Sequence, residues 1–311
     1  MKKNVLFIFA SLWLMHHSFA QRYGVPNFKV VSDFTAEKVF TAGIEGPAFD
    51  KKGYLYVVNF QKEGTIGVID YFGNASLFVE LPEGSVGNSI VIDTATNMMY
   101  VADYTKHNIL KVDMTTKQIS VYVHNDNFNQ PNDICLRANG DFYATDPNWK
   151  GEQGNIWLIR KSGEMVLLES KLAATNGIAF NPDQTLLYVT EQTKDMSGVL
   201  NNVWKFKLHH NGTLGEKELL IKFRDFGMDG MRVDKMGNLY LTRYDKGTVA
   251  IISPEGLIIR EITLKGKKPS NIAFGGLDGK TCFVTVQDRG CVEAFRMPRL
   301  SNWFKSLFSN D

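Results

Sequence analysis

The chain has 311 residues, with 35 basic against 33 acidic side chains, 44% hydrophobic residues and three cysteines. A net charge this close to zero gives no electrostatic reason to expect nucleic acid or an anionic membrane surface as a partner. The cysteines, at 135, 282 and 291, are too few for a disulfide framework, and no Cys-x-x-Cys or clustered His points to a zinc site.

The first twenty residues read as a secretory signal peptide. Met1-Lys-Lys-Asn gives a basic start, residues 5–15 are nearly all apolar, and Ser18-Phe-Ala20 before Gln21 is a small-residue cleavage site. Export to the periplasm or beyond the cell is therefore expected. The apolar run is too short for a membrane span, and no later segment reaches the required length. Residues 21–311 are expected to form one domain.

From residue 45 onward one pattern recurs six times. Its openings are Glu45-Gly-Pro-Ala-Phe, Asn88-Ser-Ile-Val-Ile, Asn132-Asp-Ile-Cys-Leu, Asn176-Gly-Ile-Ala-Phe, Asp229-Gly-Met-Arg-Val and Ser270-Asn-Ile-Ala-Phe. Each opening is followed by a polar turn, such as Lys51-Lys-Gly53, Ala138-Asn-Gly140 or Asn181-Pro-Asp-Gln184, whose residues tolerate or pre-set unusual φ. Short runs rich in Val, Ile, Tyr and Phe come next, for example 54–59, 98–103 and 281–286, and then third runs such as 65–70, 108–113 and 291–296. They read as strands. A fourth run, such as 75–80, 119–124 or 257–262, closes five of the repeats. A step of about 40–50 residues built from short strands predicts an all-β, six-bladed β-propeller with four-stranded antiparallel blades. The sixth repeat is one strand short, and residues 28–40 form a spare segment. That segment is expected to close the ring as the outer strand of the last blade, covering an edge that would otherwise lie open.

Strand direction then gathers residues far apart in sequence. The openings Glu45, Asn88, Asn132, Asn176, Asp229 and Ser270 share one rim around the axis, surrounded by the ends of the second strands at Asn59, Asp103, Asp146, Glu191, Arg243 and Gln287. Taken singly, an Asn or Asp at a strand start is ordinary turn chemistry. Recurrence at one register makes the set a ring of hard oxygen donors, suited to Ca²⁺, Mg²⁺ or Mn²⁺ rather than zinc.

The chain resembles the gluconolactonase family of six-bladed propellers, also called the senescence-marker-protein-30 or regucalcin-like family. The matching text is Ile44-Glu-Gly-Pro-Ala, Gln130-Pro-Asn-Asp, Tyr143-Ala-Thr-Asp-Pro147, Thr175-Asn-Gly-Ile-Ala-Phe-Asn-Pro-Asp183, Asp229-Gly-Met-Arg-Val-Asp234 and Ala273-Phe-Gly-Gly276. The resemblance implies one divalent cation, calcium first, with Mg²⁺, Mn²⁺ or Zn²⁺ as alternatives, held by Glu45, Asn176 and Asp229. Asn132 would complete the shell or touch substrate, and Asp229 would also move the proton. Some animal members carry an Arg where this chain has Gln130, and an acidic substrate contact falls near Lys150, so the sugar-binding shell departs from the family's. Candidate substrate contacts are Gln130, Asn132, Asp146 and Arg243, with Tyr104, Trp149 and Tyr244 as possible walls. The expected activity is metal-dependent opening of a lactone or sugar-derived small molecule, with Asp229 as general base. The alternatives are a non-catalytic ligand- or protein-binding propeller, or an esterase or phosphotriesterase-like hydrolase. A Ser-His-Asp mechanism is disfavoured, since no Gly-x-Ser-x-Gly occurs and only His107, His124, His209 and His210 follow the leader.

Overall fold

The structure is a computed structural model that describes residues 30–297. The expected leader lies outside the described residues. The described chain forms six four-stranded antiparallel sheets. In the first five, four consecutive strands pair in chain order. The inner strands are Phe40–Phe49, Gly87–Asp93, Ile134–Leu136, Ala174–Phe180, Met231–Val233 and Pro269–Gly275. Each inner strand touches the next one round, and the sixth, Pro269–Gly275, touches the first, so the ring is closed.

The sixth sheet is completed from the other end of the described chain. Ser32–Asp33 pairs with Cys291–Arg296, with Ser32 opposite Ala294 and Asp33 opposite Glu293. Of the expected segment 28–40, residues 28–29 lie outside the described residues, the paired strand covers Ser32–Asp33, and Phe40 already opens the first inner strand. Other contacts extend the join. Phe34 N donates to Val292 O at 2.8 Å, and Lys38 N to Arg289 O at 2.9 Å. The Arg289 guanidinium reaches Asp33 and the fully buried Glu293, both at 2.6 Å.

Burial explains why the strands read as they do. Middle strands such as Leu55–Phe60 and Thr281–Val286 are buried on both faces, sandwiched between neighbouring blades, and are apolar nearly throughout. Outer strands such as Ile258–Thr263 are largely open to solvent. The core is thus a set of inter-blade layers. Val58 and Ile66 of the first blade pack with Ile90, Met99, Val101 and Leu110 of the second. Tyr143 and Ile156 of the third pack with Ile178, Leu187 and Val189 of the fourth. Each fully buried side chain contributes about 1.5–3 kcal/mol. The fourth blade is the exception in length: Leu186–Asp195 pairs with Gly198–Leu208 along ten residues to a tight tip, which absorbs the longest spacing between repeats. Cys282 and Cys291 are free, buried and at opposite ends of their hairpin. Among the described residues, no helix is long and apolar enough to cross a membrane.

Candidate active site

Five of the six openings converge. Glu45, Asn88, Asn132, Asn176 and Asp229 line a cavity of about 280 Å³, walled further by Trp149, Gln192, Met228, Tyr244 and Gln287. Ser270 does not reach it. Its hydroxyl is buried, donates to Ile44 O at 2.8 Å and pairs with Thr285 Oγ1 at 2.8 Å, so it joins the last blade to the first.

The backbone approaches very closely here. A Cβ on Gly177, which follows Asn176, would lie 2.4 Å from Asp229 O. A Cβ on Gly230, which follows Asp229, would lie 2.2 Å from the Asn271 side chain. Glycine after the ring residue lets adjoining blade openings press together, and that proximity brings the Asn176 and Asp229 side chains to one point.

The polar atoms of the ring are incompletely satisfied. Asn132 Oδ1 and Asn176 Oδ1 are buried and have no hydrogen-bond partner among the described residues. A buried amide oxygen left unpaired costs about 1–3 kcal/mol, so such atoms call for a ligand. Glu45 is buried, and its Oε2 accepts only the neighbouring Gly46 N–H, at 2.7 Å. Asp229 keeps an edge open to the cavity while protein shields the rest of its carboxylate. Burial, then the charges of Asp229 and Asp133, push the Glu45 carboxyl well above its ordinary range. Burial, then Asp133, does the same to Asp229, opposed by a hydrogen bond from Asn176.

Asp133 is a component the sequence reading missed. It is buried, accepts the Ser89 hydroxyl at 2.6 Å, and faces Arg232 Nη1 at 3.8 Å. Glu45, Asp229 and Asp133 against Arg232 leave an excess of two negative charges, which one divalent cation would neutralise. Together with the two orphaned amide oxygens, this donor set fits a hard cation such as calcium. The residues that would hold it are Glu45, Asn132, Asn176 and Asp229.

Three of the expected substrate contacts take another role. The side chain of Asp146 is fully buried. It accepts the backbone N–H groups of Asn129 and Gln130, both at 2.7 Å, and the indole N–H of Trp157 at 3.0 Å. Gln130 is therefore part of the loop that Asp146 fastens and does not line the cavity. Arg243 is also buried, with Nη2 on Asp225 Oδ1 at 2.6 Å and on Asp225 O at 2.9 Å, and its guanidinium lies 3.7 Å from the centre of the Phe223 ring. The same device recurs around the ring. Asn59 donates to Gly43 O at 2.6 Å, Asp103 accepts Val86 N at 3.1 Å, and Glu191 accepts Ala173 N at 2.8 Å. Asp288, just past Gln287, accepts Lys267 N at 2.9 Å. In five blades the side chain at the end of the second strand, and in the sixth the residue after it, fastens backbone within or just before its own blade's inner strand. Arg243 is that latch with its polarity reversed. Sequence shows the recurrence of these residues but not which way they point.

Of the expected walls, Trp149 and Tyr244 line the cavity and Tyr104 does not. The Tyr244 hydroxyl donates to Gln287 Oε1 at 2.9 Å. Burial and the nearby Asp229 charge push its phenol up to about 12, so it stays a donor at neutral pH. Gln192 and Met228 were missed. Their only signals are adjacency to Glu191 and to Asp229.

The sequence profile of the SMP-30/gluconolactonase/LRE-like region matches residues 44–288, all six blade openings included. The chain belongs to this family. This SMP-30/gluconolactonase-like protein is 32% identical over 211 residues to a gluconolactonase of Zymomonas mobilis, a match covering 60% of this chain and 57% of that one. The match thus spans little more than half the length of that relative. It is 24% identical over 290 residues to the diisopropyl-fluorophosphatase of Loligo vulgaris, covering 83% of this chain and 90% of the relative. A calcium-binding protein, regucalcin, from Agrobacterium tumefaciens superposes with a TM-score of 0.73 at 19% identity, covering 88% of this chain and all of that one, a likeness of fold.

Proposed function

We propose that this protein is an exported, divalent-cation-dependent hydrolase that opens a lactone. The observation that carries the reading is the pair of buried, unpartnered oxygens on Asn132 and Asn176, set beside the Glu45 and Asp229 carboxylates in a cavity open to solvent. Family membership and relatives named as lactonases support the reaction class. The basic and apolar start of the chain supports export.

When bound, the cation would supply Lewis-acid polarisation of the lactone carbonyl and keep the carboxylates ionised. Glu45, Asn132 and Asn176 act as fixed donors, held by inner strands that cannot move independently of their neighbours. Asp229 has an edge open to the cavity and accepts the proton of the attacking water as its oxygen bonds to the carbonyl carbon. The ring C–O bond then breaks, the proton passes from Asp229 to the departing alkoxide oxygen, and a hydroxy acid leaves. Met228 and Tyr244 line the cavity beside the Asp229 carboxylate.

The test is hydrolysis of a lactone panel by metal-stripped protein resupplied in turn with calcium, magnesium, manganese and zinc, with Asp229→Asn and Glu45→Gln beside the wild type. Asp229→Asn keeps an oxygen donor but cannot take a proton, so turnover should fall about 10²–10⁴-fold while cation binding largely persists. Glu45→Gln should mainly raise the cation concentration needed for half-maximal rate. Near-native turnover of Asp229→Asn at saturating cation would remove the proton-transfer role. Cleavage of a phosphofluoridate but of no lactone would move the reading toward the squid relative's chemistry.

A further inference from the structure

The lining of the cavity carries information about the substrate that the cation ring does not. Beyond the ring residues Glu45, Asn88, Asn132, Asn176 and Asp229, the cavity is lined by Trp149, Met228 and Tyr244 and by the carboxamides of Gln192 and Gln287. Among the described residues, no Lys, Arg or His lines it. Two of the cations nearby are otherwise engaged. Arg243 is buried against Asp225 and Phe223, and Lys246 pairs with Glu261 at 2.9 Å. Lys268 is exposed and lies 5.7 Å from the centre of the Tyr244 ring without joining the lining.

The walls differ in stiffness. Tyr244 is fixed at both ends: its backbone carbonyl accepts Gly227 N at 2.9 Å, and its hydroxyl donates to Gln287 Oε1 at 2.9 Å. That second bond fixes the Gln287 amide with its oxygen toward Tyr244 and leaves its nitrogen, which has no partner among the described residues, free to donate. Trp149 stands at the end of Phe142–Asn148, 42% exposed, with no hydrogen bond from its indole nitrogen among the described residues. An apolar surface this large, left open beside a hydrolytic centre, gains most by stacking on a ligand. A cavity of 280 Å³ is at the small end of ligand sites, which run about 300–1,000 Å³, and suits one ring with a compact substituent.

Resting on the lactonase reading above, we propose that the substrate is an uncharged lactone whose ring carries an apolar substituent, stacked on Trp149 and Tyr244 with the Gln287 amide donating to its polar edge. Polyhydroxylated and anionic sugar lactones fit this lining poorly. The former would set hydroxyls against Trp149 and Met228, and the latter would bring a further negative charge to a site already rich in carboxylates, with no Lys, Arg or His among the described lining residues to pair with it.

The experiment compares kcat/KM of the calcium-loaded protein on a phenyl-substituted δ-lactone, unsubstituted δ-valerolactone, glucono-δ-lactone and 6-phosphogluconolactone. The phenyl lactone should exceed gluconolactone by at least about tenfold, a typical discrimination for an apolar pocket, and the phosphorylated lactone should be slowest. Trp149→Ala should lower kcat/KM on the phenyl lactone about tenfold more than on δ-valerolactone, while Trp149→Phe retains the preference. Trp149 is half exposed, so an unchanged melting temperature is expected and separates selectivity from misfolding. A preference for gluconolactone or its phosphate would overturn this inference and leave the hydrolase reading standing. So would an equal loss on all four substrates in Trp149→Ala. Hydrolysis of none of them with any cation would overturn both.

Discussion

Gly177→Ala tests whether close blade packing builds the cation site. Gly177 has a backbone conformation open to any residue, so the substitution acts through space alone. The new methyl would sit 2.4 Å from Asp229 O, 3.1 Å from Gly230 Cα and 3.3 Å from Gly230 C, all backbone atoms with no rotamer to change. Ordinary contact begins near 3.4 Å, so one of the two inner strands must retreat by about 1 Å in an interior packed like an organic crystal. Overpacking of this kind costs about 1–3 kcal/mol of stability. The displacement also falls between the two residues whose oxygens must meet, Asn176 and Asp229. A misplacement of about 1 Å lowers catalysis by about 10²-fold. We expect calcium affinity and kcat/KM to fall together, read by isothermal titration and lactone hydrolysis, with a lower melting temperature. Gly279→Ala is the control. It places alanine at φ +66° with nothing within 4 Å, at a turn far from the cavity. It should lose about 1–2 kcal/mol through the left-handed backbone and leave calcium affinity unchanged. If Gly177→Ala binds calcium within twofold of wild type and melts normally, close packing is not what sets the ring.

Chelation should lower the melting temperature, and calcium should restore it, since a ligand of the native state alone adds about 2.7 kcal/mol at a hundredfold excess over its Kd. Because burial raises both Glu45 and Asp229, with Asp229 and Asp133 adding to the shift at Glu45 and Asp133 to that at Asp229, calcium is expected to compete with protons for these carboxylates. Titration in buffers of different ionisation enthalpy should therefore show proton release on binding, and affinity should fall as pH drops through the raised carboxyl range; binding with no proton release refutes this. Arg289→Ala should destabilise the ring closure by about 3 kcal/mol in urea unfolding, because it strips the guanidinium from the buried Glu293 and from Asp33; a loss below about 1 kcal/mol would place the strength of the closure in its backbone bonds.

The blade plan was legible because turn chemistry and strand composition recur at one spacing, and the closing strand because one repeat lacked a partner. The ring was legible for a geometric reason: a position fixed relative to a strand start is fixed relative to the axis. Register does not fix orientation. Ser270 occupies the same register as Asp229, yet it turns its hydroxyl to Ile44 O. Asp146 and Arg243 sit at the right rim, yet both face into their own loops. Nothing in residue type separates a carboxylate that latches a loop from one that faces a ligand. The Asp133–Arg232 pair was missed because each partner lies in a different blade, 99 residues apart, and only the folded ring brings them within 3.8 Å.

The two-residue strand at Ser32–Asp33 also governs when the molecule can finish folding. Its partners, Ala294 and Glu293, are among the last described residues, so the ring stays open until nearly the whole chain is available. Blades one to five can form from local hairpins as they emerge, but the sixth keeps a bare strand edge until the two ends meet. Contacts this distant in sequence slow the final step and prolong exposure of that edge to other chains. A protein that crosses a membrane unfolded would meet this delay on the far side. There, the charges of Asp33, Lys265 and Arg289 would both draw the ends together and keep the waiting edge from pairing with a neighbour.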